Sequence, residues 1–310
     1  MSIPSLVPVP FSFPRVVPML CVLSALLHGT VRGEEKEIQG RPEFLFLDAT
    51  HRYAPSTAVS GENGDRTGSQ EIGTRVSILK GRLFLPITSD FLFATGPEWS
   101  RFDFDGASGA IPERLYRLVW QLGGIYRPGG ATSYFVLFNP GLYTDWKDIS
   151  SEDLSFTGLV VASTSLSSTF DLQYGFRFAY AEDYPLLPVA GFRWKPSDEW
   201  TFNLTAPLAE IAYSPTETWR FSVGFGLDGS TFRMAEDYGR NIGRPDLSKL
   251  WLSYREIRTF VGVEKGLGSG FKIRGELGWY IDRRFEFDER VADVSIDGSG
   301  YASLQLSWAF

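Results

Sequence analysis

Apolar and polar residues alternate along most of this chain with a period of two, as in extended strands whose two faces meet different surroundings. In 169–180, Phe170, Leu172, Tyr174, Phe176, Phe178 and Tyr180 share one face, opposed by Thr169, Asp171, Gln173, Gly175 and Arg177. In 219–228, Trp219, Phe221, Val223, Phe225 and Leu227 oppose Arg220, Ser222, Gly224, Gly226 and Asp228. In 271–282, Phe271, Ile273, Leu277, Trp279 and Ile281 oppose Lys272, Arg274, Glu276 and Tyr280. The last ten residues set Ala302, Leu304, Leu306, Trp308 and Phe310 against Tyr301, Ser303, Gln305 and Ser307. Beyond Glu34 no stretch of useful length carries a helical period.

Alternation is shared by soluble sandwiches and membrane barrels, so the contents of the faces decide between them. Here the apolar face is rich in aromatics near strand ends, and the polar face holds small residues with sparse arginines. That is the inside-out arrangement of a strand facing lipid. The expected fold is all-β, a single antiparallel transmembrane β-barrel. Its fourteen predicted strands are 43–54, 71–87, 90–104, 114–127, 131–144, 154–164, 168–181, 186–195, 199–213, 218–228, 230–238, 249–264, 270–282 and 299–310. Merging weak segments such as 230–238 gives twelve. The links alternate between tight turns, among them 128–130, 195–198, 228–229 and 265–269, and longer connections such as 55–69, 105–113, 145–153, 239–248 and 289–297. Short periplasmic turns and longer external loops have this asymmetry. Leu250 and Leu252 differ in parity from Val261 and Val263, so a bulge near Arg255-Glu256 is expected to keep both pairs outside.

Composition agrees with this pattern. Mean hydropathy is −0.09 despite 15% aromatic residues, because alternation averages the apolar face away. A net charge of −7 argues against nucleic acid as a partner. At the N-terminus, Arg15 precedes an apolar run over 16–27, and Val31 and Gly33 frame a cleavage position before Glu34. The expected organisation is a signal peptide over 1–33 and a barrel over 34–310, with translation starting at Met1 or Met19. The apolar run is too short for a helical span, which needs about 20 residues. The single cysteine, Cys21, falls inside the signal, so the mature chain is expected to hold no thiol.

The chemistry available is sparse. Beyond the signal the only histidine is His51, with no Gly-x-Ser-x-Gly element beside it, and the chain is not expected to be an enzyme. Neither a metal site nor a cofactor is expected. The long loops are acidic, with Asp145, Asp148, Glu152, Asp153, Glu182, Asp183, Asp237, Glu286, Asp288, Glu289, Asp293 and Asp297, but lack the spacing of a calcium loop. Residues expected to face the lumen are Arg75, Arg117, Asp171, Arg177, Arg220, Lys272, Arg274 and Glu276. They would either bias the passage of small solutes or bridge the walls as a closing ion-pair network.

The terminal decamer resembles the closing strand of Gram-negative outer-membrane β-barrels. The resemblance implies that Leu304, Leu306, Trp308 and Phe310 form the signal read by the barrel-assembly machinery. Two further stretches, 138–145 (Phe-Asn-Pro-Gly-Leu-Tyr-Thr-Asp) and 187–200 (Leu-Pro-Val-Ala-Gly-Phe-Arg-Trp-Lys-Pro-Ser-Asp-Glu-Trp), are similar to an outer-membrane barrel family known only as a domain of unknown function. That likeness runs from about Phe44 to Phe310 and implies a location and a fold but no activity. The expected function is a passive or weakly selective pore for small solutes in the cell outer membrane, with outer-membrane lipid around it. The alternative is a closed structural or surface-interaction barrel that binds through its acidic external loops.

Overall fold

A computed structural model describes residues 45–61, 66–107, 111–180, 185–235, 237–241, 243, 245, 250–287 and 293–310. The segment 1–44, with the expected signal, lies outside the described residues. The strands are β1 (Leu45–Gly61), β2 (Arg66–Pro86), β3 (Phe91–Asp105), β4 (Arg114–Tyr126), β5 (Thr132–Thr144), β6 (Leu154–Ser165), β7 (Phe170–Ala179), β8 (Leu186–Trp194), β9 (Trp200–Thr205), β10 (Leu208–Tyr213), β11 (Trp219–Arg233), β12 (Trp251–Gly268), β13 (Phe271–Phe287), β14 (Val294–Ile296) and β15 (Ser299–Ala309). Each of β1 to β13 pairs antiparallel with the next, and β15 pairs with β13 and returns to β1, from Phe46 opposite Ala309 to Tyr53 opposite Ala302. The short β14 and β15 are two pieces of one stave, so the barrel closes with 14 staves. Closure removes the exposed sheet edge that lipid could not satisfy.

The count matches the expectation, but two boundaries within it do not. The segment expected as one strand over 199–213 is the β9–β10 hairpin, turning at Ala206-Pro207. The segments expected at 218–228 and 230–238 are one strand, β11, which runs without interruption through Asp228-Gly229. One split and one merger cancel. The link 214–218 consequently joins the short-turn end, and the tight turn at Ala206-Pro207 lies at the other end.

Strand length varies strongly around the barrel, from 21 residues in β2 and 18 in β12 to six each in β9 and β10. Much of the stretch expected as the loop 55–69 is strand, prolonging β1 and β2 beyond the membrane-facing zone. The tall staves change solvent along their length. In the short-turn half, outward positions such as Leu79, Leu83, Val261, Val263, Leu277 and Trp279 are apolar and exposed. Toward the long-loop end the outward positions become ion pairs: Arg75 with Asp105, Arg101 with Asp103, and Arg284 with Asp282. There the inward positions become apolar, with Ile72, Val76, Phe102, Phe104, Leu252 and Phe285 packed together. The lower wall thus meets lipid and the upper wall meets water, and each selects the opposite polarity for its outer face.

This switch corrects two expectations. Arg75 faces outward, with 46% of its side chain exposed, rather than into the lumen. Leu250 and Leu252 are buried inside while Val261 and Val263 point out, so no bulge is needed in β12, which pairs with β11 in unbroken register. The irregularity lies in β13, where Ile281 is passed over between Asp282 opposite Ile257 and Tyr280 opposite Arg258.

Candidate functional site

The inward faces of the staves fill the lumen in three zones. At the long-loop end, Phe102, Phe104, Phe232, Tyr254 and Phe285 meet with ring centroids 4.9 to 5.8 Å apart. Nearer the short-turn end, Phe84, Phe135, Leu137, Leu159, Val161 and Val189 form a second apolar cluster on the β2–β8 side. Between and beside them lie charged groups, almost all of them buried.

Three carboxylates organise those charges. Glu98 on β3 takes Lys80 Nζ at 3.1 Å and Arg117 Nη2 at 2.6 Å, and Gln121 donates to its second oxygen at 2.9 Å. Glu256 on β12 binds Arg52 from β1 and accepts from Tyr254 at 3.1 Å and Arg258 at 3.4 Å. Glu210 on β10 binds Arg220 and takes Arg274 Nη2 at 2.8 Å, while Arg274 Nε reaches Glu276 at 2.8 Å. Arg283, fully buried, donates to Thr74, Ser299 and the Asp297 carbonyl, each at 2.9 Å. Each of the three carboxylates gathers two or more donors, which offsets part of its desolvation.

A small, mostly polar chamber with room for about one water lies among these groups, lined by Glu98, Arg117, Gln121, Asn139, Thr157 and Arg177, with Val119, Tyr143, Gly229 and Ser230 completing it. Arg117 bridges it, donating to Ser230 on β11 at 2.8 Å from its place on β4. Asn139 donates to Thr157 at 3.3 Å, but its Oδ1 is buried with no protein partner. Buried amide oxygens left by the protein need a donor from water or solute.

The expected lumen residues divide as follows. Arg117 and Arg177 line the chamber, and Arg220, Arg274 and Glu276 belong to the Glu210 network. Asp171 faces inward near the short-turn end and accepts from Ser165 at 2.6 Å. Lys272 stands at that mouth, with 59% of its side chain exposed and Glu264 at 3.8 Å. Arg75 is outside. Sequence reading missed Arg52, Lys80, Arg82, Glu98, Glu210, Glu256, Arg258 and Arg283. Parity could have found Lys80 and Arg82, which continue the inward set of Val76 and Ile78.

Leu304, Leu306, Trp308 and Phe310 all point outward and are exposed. His51 is also on the outer face, its Nδ1 3.0 Å from Ser77 Oγ on β2. Among the described residues no group of histidine, cysteine and carboxylate side chains could hold a metal ion. The acidic loop residues Glu182, Asp183, Asp288 and Glu289 lie outside the described residues. Of the others, Asp145 accepts from the N–H groups of Lys147 and Ala235, and burial pushes its carboxyl up. Glu152 pairs with Arg233 at 3.1 Å, and Glu286 with Arg255.

Residues 130–310 match the family model described as a domain of unknown function, DUF6268. No curated protein matches the chain. Among solved structures, an outer membrane channel from Pseudomonas putida F1 is similar with TM-score 0.49 and 13% identity, covering 89% of this chain and 99% of that one. A deltaS2S3 mutant of the monoaromatic hydrocarbon channel TodX is similar at TM-score 0.47 and 10% identity, covering 87% of this chain and 91% of that one. A FadL homologue from Pseudomonas aeruginosa gives TM-score 0.42 and 10% identity, covering 86% and 90%. None of these likenesses assigns a cargo to this chain.

Proposed function

The chain belongs to the DUF6268 family, and on that premise we propose that its barrel sits in the outer membrane and passes small solutes through the polar chamber. The short-turn end then faces the periplasm and the tall, charged rim faces outward. The observation that carries this reading is the buried amide oxygen Asn139 Oδ1 in the chamber wall, which no protein group satisfies. A barrel kept only as a structural wall would gain by replacing it with an apolar side chain. The chamber is bounded above and below by packed apolar clusters, so passage is narrow and selective rather than that of a standing water-filled pore.

The apolar cluster at the long-loop end favours a second reading, a permanently closed barrel. Planar-bilayer recording combined with swelling of vesicles that contain the purified chain separates the two. Solute passage without large, steady conductance steps supports a narrow chamber; no swelling with any small solute supports the closed barrel. Large steps would contradict both.

A further inference from the structure

The inward charges of the barrel fall into two levels. Within five residues of the short-turn strand ends, the cations Arg82, Arg193, Arg220, Lys272 and Arg274 are matched in number by Asp48, Asp171, Glu210, Glu264 and Glu276. They also lie together: Lys272 pairs with Glu264, Arg220 and Arg274 with Glu210, and Arg274 with Glu276. Asp171 acts on Arg193, and Asp48 on Arg82. This mouth is electrically neutral.

Deeper, up to the aromatic cluster, the balance is lost. Among the described residues the inward groups there are six cations, Arg52, Lys80, Arg117, Arg177, Arg258 and Arg283, against three carboxylates, Glu98, Asp228 and Glu256. Each carboxylate is shared. Glu98 serves Lys80 and Arg117, Glu256 serves Arg52 and Arg258, and Asp228 acts on the same two arginines as Glu256. Other contacts hold the cations without cancelling them. Arg283 bonds Thr74, Ser299 and a backbone carbonyl and stands 4.7 Å from the centre of the Tyr280 ring, while Arg52 stands 5.6 Å from that of Tyr301. Five of the six cations are guanidinium groups, which cannot shed a proton inside a protein. The surplus is therefore permanent.

Its sign opposes that of the chain, whose net charge is −7. Ion pairs that only brace a wall gain nothing from a surplus, since each uncompensated buried charge adds a desolvation cost. Walls of low dielectric also focus the field of such charges into the space they enclose. An entering anion restores the balance that the protein leaves open.

We infer that the lumen admits small anions in preference to cations, with oxyanions such as carboxylates matching the guanidinium forks. This rests on the passage reading above and names its solute class. The neutral mouth accepts either sign, and the deeper level selects.

Tracer exchange from lipid vesicles that contain the full chain tests this, with equal salt on both sides so that no potential builds. The probes are methanesulfonate and tetramethylammonium, both permanently charged, and the smaller pair chloride and rubidium, each corrected for vesicles without protein. In whichever pair passes, the anion should exchange about tenfold faster than the cation. Lys80→Gln lowers the surplus by one charge and should reduce that ratio about threefold, whereas Asp228→Asn raises it by one and should increase the ratio about threefold. Loosened packing does not shift the ratio in opposite directions. Heat-modifiable migration checks folding, and either variant alone still reads the charge if the other fails to assemble. Equal rates, a cation preference, or a ratio that the variants leave unmoved would overturn anion selection while leaving passage standing. Vesicles that exchange neither pair overturn both.

Discussion

The Asp228 carboxylate accepts a hydrogen bond from the N–H of Gly229, its own neighbour, at 2.9 Å in the middle of β11. Asp-Gly is turn chemistry because the aspartate oxygen can bond nearby backbone. Here the same property satisfies a backbone donor inside a strand. Asp228→Ala should therefore destabilise the barrel by ~1–2 kcal/mol, the cost of one buried donor left unmet. Asp228→Asn keeps an acceptor and should lose less. Urea unfolding in lipid vesicles, followed by tryptophan fluorescence, checks the order; equal losses would mean that the charge, not the Gly229 bond, matters.

Glu256 gathers Arg52, Arg258 and Tyr254 inside the lumen. Removing Arg52 leaves a buried carboxylate short of its strongest partner, at about 3–5 kcal/mol for breaking such a pair. Arg52→Met should thus lower stability sharply, and adding Glu256→Leu should recover much of the loss. A double-mutant cycle on unfolding midpoints reads the coupling directly. Additive losses would show that the two side chains act independently.

Gly278 on β13 has no room for a side chain. A Cβ there would lie 2.2 Å from the Thr259 carbonyl oxygen and 2.5 Å from the Tyr301 ring. One obstacle is backbone, so trimming the other does not relieve it. Gly278→Ala should cost ~1–3 kcal/mol, and Tyr301→Leu in the same chain should not rescue it. Gly275, three residues earlier, has nothing within 4 Å of the corresponding position. Gly275→Ala should be neutral or stabilising by up to about 1 kcal/mol.

Much of the lower barrel was legible in the sequence because lipid imposes one rule on every outward position there. The rows around Phe170, Leu172 and Phe176, or Trp219, Phe221 and Val223, could be assigned by parity alone. Above the membrane the rule inverts, and parity without depth misplaces residues; Arg75 and Leu252 were misread for that single reason. The β9–β10 hairpin was hidden because Ala206-Pro207 carries no turn signal strong enough to stand against the clear one at Asp228-Gly229. The carboxylates at 98, 210 and 256 were illegible for another cause. Their importance comes from arginines on strands distant in sequence, such as Arg52 and Glu256, 204 residues apart, and no local pattern brings those together.

Phe310 separates assembly from stability. Its N–H donates to the Leu45 carbonyl at 3.0 Å, its ring lies 3.9 Å from that of Trp308, and 46% of the residue is exposed on the outer wall. It touches no part of the lumen, so the folded barrel should lose at most ~1.5–3 kcal/mol, the burial value of one such ring, when it is removed. If the terminal ring is read during insertion, deleting Phe310 should instead cut the fraction that reaches the heat-modifiable state in cells. The molecules that do assemble should unfold within that small margin of the intact chain. Comparing the folded fraction in membranes with the unfolding midpoint of the purified remainder distinguishes the two roles. A normal folded fraction would remove Phe310 from the assembly signal and leave it an anchor at the lipid boundary.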